Sequence, residues 1–469
     1  MAQENNYTIE NFDPEVLREY DIRGVVGENI NENTAYTIGR TFGYTVKSKL
    51  TSHTIVTGYD GRLTSPSLHK ALCEGLKDSG VKVINIGMGP TPMTYFAHYH
   101  FEADAAVMLT GSHNPSEYNG FKMVFNKHSF FAEDIQSLQK LLDNNALELA
   151  DGQIIEQDIT KEYIERDLLN ISLNRKLKVA WDPGNGAMGK VTRKITEKLF
   201  NSENIIINEE VDGNFPNHHP DPTDISTLKI MSDKMKVVNA DIGIGFDGDG
   251  DRIGVIDKQS RPVAGDLLTS FLARSIDIEN KADHTVILDI KSSSVAYDKI
   301  MSLGLNVEIG KTGHSNIKKR IKEINSPLAG EMSGHIFFAD KYYGFDDALY
   351  TSIRLLSLLA KDVNLEKFIS SLPKTFVSPE MKLHCSDKIK FTIIDNISKN
   401  ALEDYSPENI TTIDGVRAKN NFGWWLIRAS NTEEALIIRF EGKSIEDKKE
   451  LFLEVQKRLK KEGLTLEFN

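Results

Sequence analysis

One pattern recurs three times along this chain and limits its fold more than any other feature. A β-rich apolar run ends in aspartate: His53-Thr54-Ile55-Val56-Thr57-Gly58-Tyr59-Asp60-Gly61, Leu177-Lys178-Val179-Ala180-Trp181-Asp182-Pro183-Gly184 and His284-Thr285-Val286-Ile287-Leu288-Asp289-Ile290. The runs are about one domain length apart. A helical pattern follows the first, with Leu68, Leu72 and Leu76 recurring every fourth position. Strand then helix, three times over, predicts three similar α/β domains with mixed sheets. Beyond Leu372 the chain changes character. Gly423-Trp424-Trp425-Leu426-Ile427-Arg428 and Ala435-Leu436-Ile437-Ile438-Arg439-Phe440 read as strands. A helix capped by Ser444 and Asp447 follows, with Leu451, Val455 and Leu459 on one face and Gly463 ending it. The expected division is 1–154, 155–258 and 259–371 as α/β domains, and 372–469 as a smaller α+β domain.

Each repeat carries a polar motif after a second apolar run, at the strand ends where α/β folds place their sites. The first is Thr110-Gly111-Ser112-His113-Asn114-Pro115, which offers an exposed hydroxyl on a tight polar turn. The second is Asp247-Gly248-Asp249-Gly250-Asp251-Arg252. In an extended loop its alternate carboxylates point one way, and hard oxygens suit Mg²⁺ or Ca²⁺. An EF-hand would need Gly and Glu where Arg252 and Lys258 stand, and a haloacid-dehalogenase-type phosphatase would need Thr or Val at Asp251. A serine beside an oxygen-ligand metal suggests phosphoryl transfer through a covalent phosphoserine. Lys122 follows closely enough to neutralise a phosphate or move a proton, or it is a solvated surface lysine; His113 is equally open. The third motif, Gly330-Glu331-Met332-Ser333-Gly334-His335, can hydrogen-bond vicinal sugar hydroxyls or be an ordinary strand-to-helix turn. Thr312-Gly313-His314-Ser315 could add polar contacts. Arg428-Ala429-Ser430-Asn431-Thr432 suits a phosphate dianion, with Arg439 as a second cation, or caps a strand.

Composition narrows the partners. Of 469 residues, 40% are hydrophobic and 26% charged, which is ordinary for a globular protein of three or four domains. The net charge of −12 disfavours nucleic acid and anionic membranes. An anionic substrate must then meet local clusters of Arg and Lys. Two distant cysteines, Cys73 and Cys385, exclude a disulfide framework and fit a reducing cytoplasm. The N-terminus lacks a basic-then-apolar signal, and no apolar run is long enough to span a bilayer.

Together these motifs resemble the α-D-phosphohexomutases, specifically the bacterial phosphomannomutase/phosphoglucomutase branch. Tyr20-Asp21-Ile22-Arg23-Gly24 is similar to that family's N-terminal signature. The Ser112, Asp247–Arg252, Gly330–His335 and Arg428–Thr432 segments resemble its phosphoserine, metal, sugar and phosphate loops, one per domain and in order. Lys341-Tyr342-Tyr343 departs from the family pattern, in which Arg-Trp-like residues often precede the segment Gly344–Asp347. The resemblance implies four domains around a central cleft. It also implies one Mg²⁺ held by Asp247, Asp249, Asp251 and an oxygen on Ser112, and catalytic roles for Ser112, His113, Lys122, Arg23, Arg252 and His335. Substrate contacts are implied for Tyr20, Lys291, His314, Glu331, Ser333, Arg428, Ser430, Asn431, Thr432 and Arg439. The reaction implied is interconversion of hexose 1- and 6-phosphates, of mannose and/or glucose, with the 1,6-bisphosphate as intermediate and activator. The expected enzyme takes a small phosphosugar, binds neither nucleic acid nor membrane, and is a monomer or weak homodimer. The alternatives are a metal-dependent sugar phosphatase, which would admit water, and a phosphoglucosamine mutase. A silent phosphosugar binder would lack the serine or an aspartate.

Overall fold

The computed structural model describes residues 7–143, 147–169, 171, 173–199, 201–276, 279–280, 283–431 and 433–467. Three mixed sheets and one antiparallel sheet follow in chain order. Each recurring apolar run is a central parallel strand of its own sheet: Thr54–Tyr59, Leu177–Asp182 and Thr285–Asp289. Each pairs in parallel on one side with the next strand in sequence: Lys82–Met88, Ser202–Ile206 or Asn306–Gly310. On its other side lies a parallel strand, Ala105–Leu109, Ile242–Phe246 or Leu328–Gly330. That strand in turn hairpins antiparallel onto Tyr118–Phe125, Ile253–Asp257 or Ile336–Phe338. Helices cover these sheets, so the inner strands are buried on both faces and read as continuous apolar runs. The first sheet takes its outermost strand from Gln153–Glu156, across the expected division at 154. The second ends in Pro262–Val263, beyond 258.

The Ser112, Asp247–Arg252 and Gly330–His335 segments are therefore equivalent hairpin loops of three repeated units. The turn expected at Gly330–His335 joins strand to strand, not strand to helix, because Leu328–Gly330 pairs directly with Ile336–Phe338. The aspartate segment is a tight turn, with Gly250 at φ +75°, rather than the extended loop expected from alternation.

The fourth sheet is antiparallel, and its strand Gly423–Ala429 shows period-2 packing. Trp425, Ile427 and Ala429 enter the core beneath helices Lys390–Asp404 and Ile445–Lys461. Trp424 and Leu426 face the other way, onto Ile290 of the third unit. Ser444 caps the last helix by accepting from Asp447 N at 3.0 Å. The first three units share one continuous apolar core across their junctions. The last joins the third through that small patch and polar contacts, including Arg417 to the Ile290 and Ser292 carbonyls, both at 2.7 Å. No helix among the described residues is long and apolar enough to cross a membrane.

Candidate active site

Ser112 sits at the tip of its hairpin with φ +50°, a left-handed conformation that costs a non-glycine residue energy and needs support. Arg62 supplies that support. Its guanidinium, buried by the loop, donates to the carbonyls of Ser112 (2.8 Å), Asn114 (2.6 Å), Pro115 (2.5 Å) and Tyr118 (3.0 Å). Asp60 holds Arg62 Nε at 3.2 Å and accepts from Thr110 Oγ1 at 2.8 Å and Gly111 N at 3.2 Å. The aspartate that ends the first repeated strand is thus a brace for the serine loop. Asp289 does the same in the third unit, accepting from Met332 N at 3.1 Å. Sequence reasoning noticed these aspartates only as strand ends and did not single out Arg62. The signal for both was the recurrence of Asp at one structural position, followed in the first copy by Gly61-Arg62.

The aspartate turn faces the serine turn. Ser112 Oγ donates to Asp247 Oδ2 at 3.1 Å and lies 3.2 Å from His113 Nδ1. Gly248 is required by this approach, since a Cβ there would lie 2.5 Å from the Ser112 carbonyl oxygen. Asp247, Asp249 and Asp251 are fully buried, with oxygens within 4.8 Å of one another. Burial, then repulsion from Asp251 and Asp249, pushes the Asp247 carboxyl well up. Lys122 Nζ partly offsets the cluster, donating to Asp249 Oδ2 at 2.7 Å and Asp251 Oδ2 at 2.5 Å. Thr91 Oγ1 also donates to Asp249 Oδ2, at 2.5 Å. Asp249 Oδ1 has no hydrogen-bond partner, and Asp251 Oδ1 has only the 3.4 Å approach of His335 Nε2. Buried carboxylate oxygens without partners are expensive unless a cation meets them. Three converging oxygens of this hardness fit a small oxygen-seeking divalent ion.

Beside this buried cluster opens a cleft of about 1350 Å³, lined by all four units; His113, Asn114 and Arg252 line it, whereas Ser112, expected to be exposed, is only 2% exposed and lies behind them with Lys122, Asp247, Asp249 and Asp251. Tyr20, Arg23, His113, Arg252, Lys291, His314, Glu331, Ser333, His335, Arg428, Ser430, Asn431 and Arg439 all reach it. Thr432 lies outside the described residues. Arg23 donates to Asn114 Oδ1 at 2.7 Å in the serine loop and pairs with Asp21 at 2.5 Å. Tyr20 OH bridges to the Thr312 carbonyl at 3.0 Å and meets Asn431 Nδ2, tying the first, third and fourth units together. Arg428 Nε pairs with Asp414 at 3.1 Å and Lys291 with Glu380 at 3.3 Å, while Arg439 reaches the Met332 sulfur.

The sugar-type loop is internally braced. Glu331 accepts from Gly313 N at 2.6 Å and from His335 Nδ1 at 2.9 Å; Ser333 Oγ lies 3.2 Å from that same nitrogen. Burial and Arg252 oppose a charge on His335, but Asp251 and Glu331 outweigh them and push it up to about 9. His335 is then an imidazolium whose Nε2 faces Asp251 Oδ1 at 3.4 Å, and the 3.3 Å approach of Arg252 Nε is a cation–cation contact. His314 packs against His335, ring centroids 5.7 Å apart. A hydroxyl beside clustered carboxylates, under a cleft with separated cations, is arranged for phosphoryl transfer between a serine and a bound anion.

Comparison with known proteins gives one answer along the whole chain. Family models match consecutive segments: phosphoglucomutase/phosphomannomutase alpha/beta/alpha domain I at residues 14–148, domain II at 161–260, domain III at 264–376 and the C-terminal domain at 380–458. A phosphomannomutase/phosphoglucomutase of Pseudomonas putida is 43% identical over 430 residues, 92% of each chain. A phosphoglucomutase of Neisseria meningitidis serogroup A is 38% identical, covering 92% of this chain and 94% of its own. The crystal structure of a phosphoglucomutase/phosphomannomutase family protein from Burkholderia thailandensis superposes with a TM-score of 0.90 at 36% identity, over 97% of this chain and 100% of that one.

Proposed function

Because this chain belongs to the phosphoglucomutase/phosphomannomutase family and is a phosphohexomutase, we propose that its cleft interconverts glucose and mannose 1- and 6-phosphates by way of Ser112. The observation that carries the residue assignment is Ser112 Oγ at 3.1 Å from Asp247 in a fully buried aspartate cluster, directly behind the cleft-lining residues His113 and Arg252. A phosphoryl group on Ser112 passes to the free hydroxyl of the bound hexose phosphate. The Oγ–P bond breaks as the sugar O–P bond forms, leaving a 1,6-bisphosphate. The bisphosphate turns over, and Ser112 Oγ takes the other phosphate.

Asp247, Asp249, Asp251 and a phosphoserine oxygen would hold Mg²⁺, which would supply charge neutralisation for the transferring group. Lys122, between Asp249 and Asp251, keeps the second and third carboxylates in place. Arg23 and Arg252 flank the serine loop and orient the transferring phosphate. Arg428, Ser430, Asn431 and Thr432, with Lys291, Arg439 and Tyr20, grip the distal phosphate in either orientation. Glu331, Ser333, His314 and His335 face the sugar. Free hexose 1,6-bisphosphate recharges a dephosphorylated Ser112 and so acts as activator. The enzyme works as a monomer or weak homodimer in a reducing cytoplasm, where its two buried free cysteines persist.

The test pairs a coupled assay for isomerised product and free phosphate with intact-mass analysis. Wild type should carry one phosphate and yield isomer far in excess of phosphate, and Ser112→Ala should lose both the phosphate and the turnover. Free phosphate as the main product would make the protein a phosphatase; a fully active Ser112→Ala would remove the serine from the mechanism.

A further inference from the structure

A second cavity, of about 210 Å³, lies outside the cleft, where the first unit meets the third. Helix Thr91–His100 and the hairpin turn at Asn126-Lys127 wall it on one side; helix His314–Ile324 and the Tyr343–Phe345 loop wall it on the other. Its aromatic surface is organised. Tyr99 stacks on Tyr343 with centroids 4.6 Å apart, and Tyr343 stacks on Phe345 at 5.7 Å and 6°. The facing sides of Tyr99 and Tyr343 are taken by each other and Arg166 lies 4.9 Å over Tyr343, so the rings give a ligand an apolar aromatic wall rather than a free stacking face.

The charge around that wall is one-sided. Four lysines line the cavity, Lys127, Lys318, Lys319 and Lys322, against one carboxylate, Asp134. Lys318 is already neutralised, donating to Asp346 at 2.9 Å. Among the described residues Lys127, Lys319 and Lys322 form no ion pair, so their charge is uncompensated in a protein whose net charge is −12. Burial, with repulsion from Lys318 and Lys127, pushes Lys322 down to about 8. Lys127 is held at the hairpin tip by its left-handed backbone, φ +63°, with Nζ 5.7 Å from the Tyr99 ring centre. His98 is fully buried in the wall, and neither ring nitrogen has a hydrogen-bond partner of ordinary geometry. An unpaired buried imidazole and converging unpaired ammonium groups are costly as they stand, and an anion would relieve the second cost directly.

We propose that this cavity binds a small aryl anion, a flat aromatic group bearing one negatively charged substituent, at a site separate from the cleft. The ring lies along the Tyr99–Tyr343 stack and the acid group meets Lys127 and Lys322. The volume is below the roughly 300–1,000 Å³ that drug-sized ligands fill, which limits the occupant to a ring system and one acidic group. The chemistry required differs from that of the cleft, which has no comparable aromatic stack in its lining.

The probe is 2-naphthoate, titrated calorimetrically into the full chain with saturating glucose 1,6-bisphosphate present to fill the cleft. One site per chain is expected. Affinity should fall at least about tenfold in Lys322→Glu and in Lys127→Glu, and 2-naphthalenemethanol, the uncharged analogue, should bind at least about tenfold more weakly. Both lysines stand outside the machinery assigned to phosphoryl transfer, so basal mutase turnover and melting temperature of the variants should match wild type. Lys322→Gln serves as the milder substitution if a charge reversal disturbs folding. No binding of 2-naphthoate up to its solubility limit, displacement by the bisphosphate, equal affinity for the neutral analogue, or indifference to every lysine substitution would each overturn the assignment.

Discussion

Arg62→Lys isolates the brace behind the proposed nucleophile. Arg62 is 1% exposed and gives four guanidinium hydrogen bonds to loop carbonyls while its Nε holds Asp60. Lysine keeps the charge near Asp60 but has three donors radiating from one atom, so at least two of the five acceptors, Asp60 and the four carbonyls, lose their partner. Hydrogen bonds from a charged donor are worth roughly 1.5–3 kcal/mol each, which puts the loss at about 3–6 kcal/mol. For a unit of about 150 residues, even the lower figure lowers the melting midpoint by roughly 6–12 °C. Ser112, at φ +50°, then keeps only its N–H bond to Thr110 Oγ1 at 2.8 Å as a local tie, and its Oγ moves away from Asp247 as the loop relaxes. A displacement near 1 Å costs on the order of 100-fold in turnover. Arg62 does not line the cleft, so the fall should appear in kcat and leave KM nearly unchanged. Steady-state kinetics and thermal melts of both proteins give the answer. Wild-type kcat and melting midpoint in Arg62→Lys would refute the brace; a raised KM at normal kcat would instead place Arg62 in substrate binding.

Arg428→Ala should raise KM by about tenfold or more and speed loss of the bisphosphate while Ser112 still carries phosphate; unchanged KM and retention would make the Arg428 loop structural. Asp347 is fully buried, and burial pushes its carboxyl up to about 6 even though Tyr163, Tyr342 and Tyr350 N hydrogen-bond to it. A raised carboxyl contributes stability that is complete below its unfolded value near 4 and is lost as pH rises through about 6. Asp347→Asn should therefore gain up to about 3 kcal/mol relative to wild type between pH 4.5 and 7.5, by urea unfolding, and a gap that stays constant over that range would contradict this. On the proposal that Glu331 and Ser333 take the 3- and 4-hydroxyls and leave C2 without a dedicated partner, glucose and mannose phosphates should turn over within roughly tenfold of each other and glucosamine phosphate clearly more slowly. A wide preference for glucosamine phosphate in the coupled assay would reverse that reading of Glu331 to His335.

What the sequence made legible was periodic or chemical, and what it hid was long-range. The repeated strands show because each is a central, doubly buried strand, so apolar residues run on until the terminal Asp. The serine, aspartate, sugar and phosphate loops show because their residue types are unusual in turns. Arg62 stayed hidden because the carbonyls it holds are fifty or more positions away, which leaves no mark on composition. Thr91 was hidden for a similar reason, reaching Asp249 from another unit. The alternation of Asp247, Asp249 and Asp251 suggested an extended loop, yet Gly250 at φ +75° folds it into a turn. The carboxylates converge because the chain wraps around them, an outcome that period-2 reasoning reaches by the wrong geometry.

The cleft also resolves an apparent conflict between an acidic protein and an anionic substrate. Acidic side chains are about as numerous as Lys and Arg in its lining, so net attraction is not what selects the ligand. The cations instead stand in two groups. Arg23 and Arg252 belong to the first two units beside Ser112; Lys291, Arg428 and Arg439 belong to the third and fourth. Most have a carboxylate at hand, Arg23 on Asp21, Lys291 on Glu380 and Arg428 on Asp414. Those partners orient each cation and cancel much of its field at long range, so binding favours an anion that engages both groups at once. A hexose 1,6-bisphosphate has a phosphate for each group whichever way it lies. The fourth unit carries its own core and meets the third through a small apolar patch, so swinging it away would break mainly hydrogen bonds, such as those of Arg417 to the Ile290 and Ser292 carbonyls. Opening would free one phosphate while Arg23 and Arg252 still face the other, which is the condition for the intermediate to turn over without leaving.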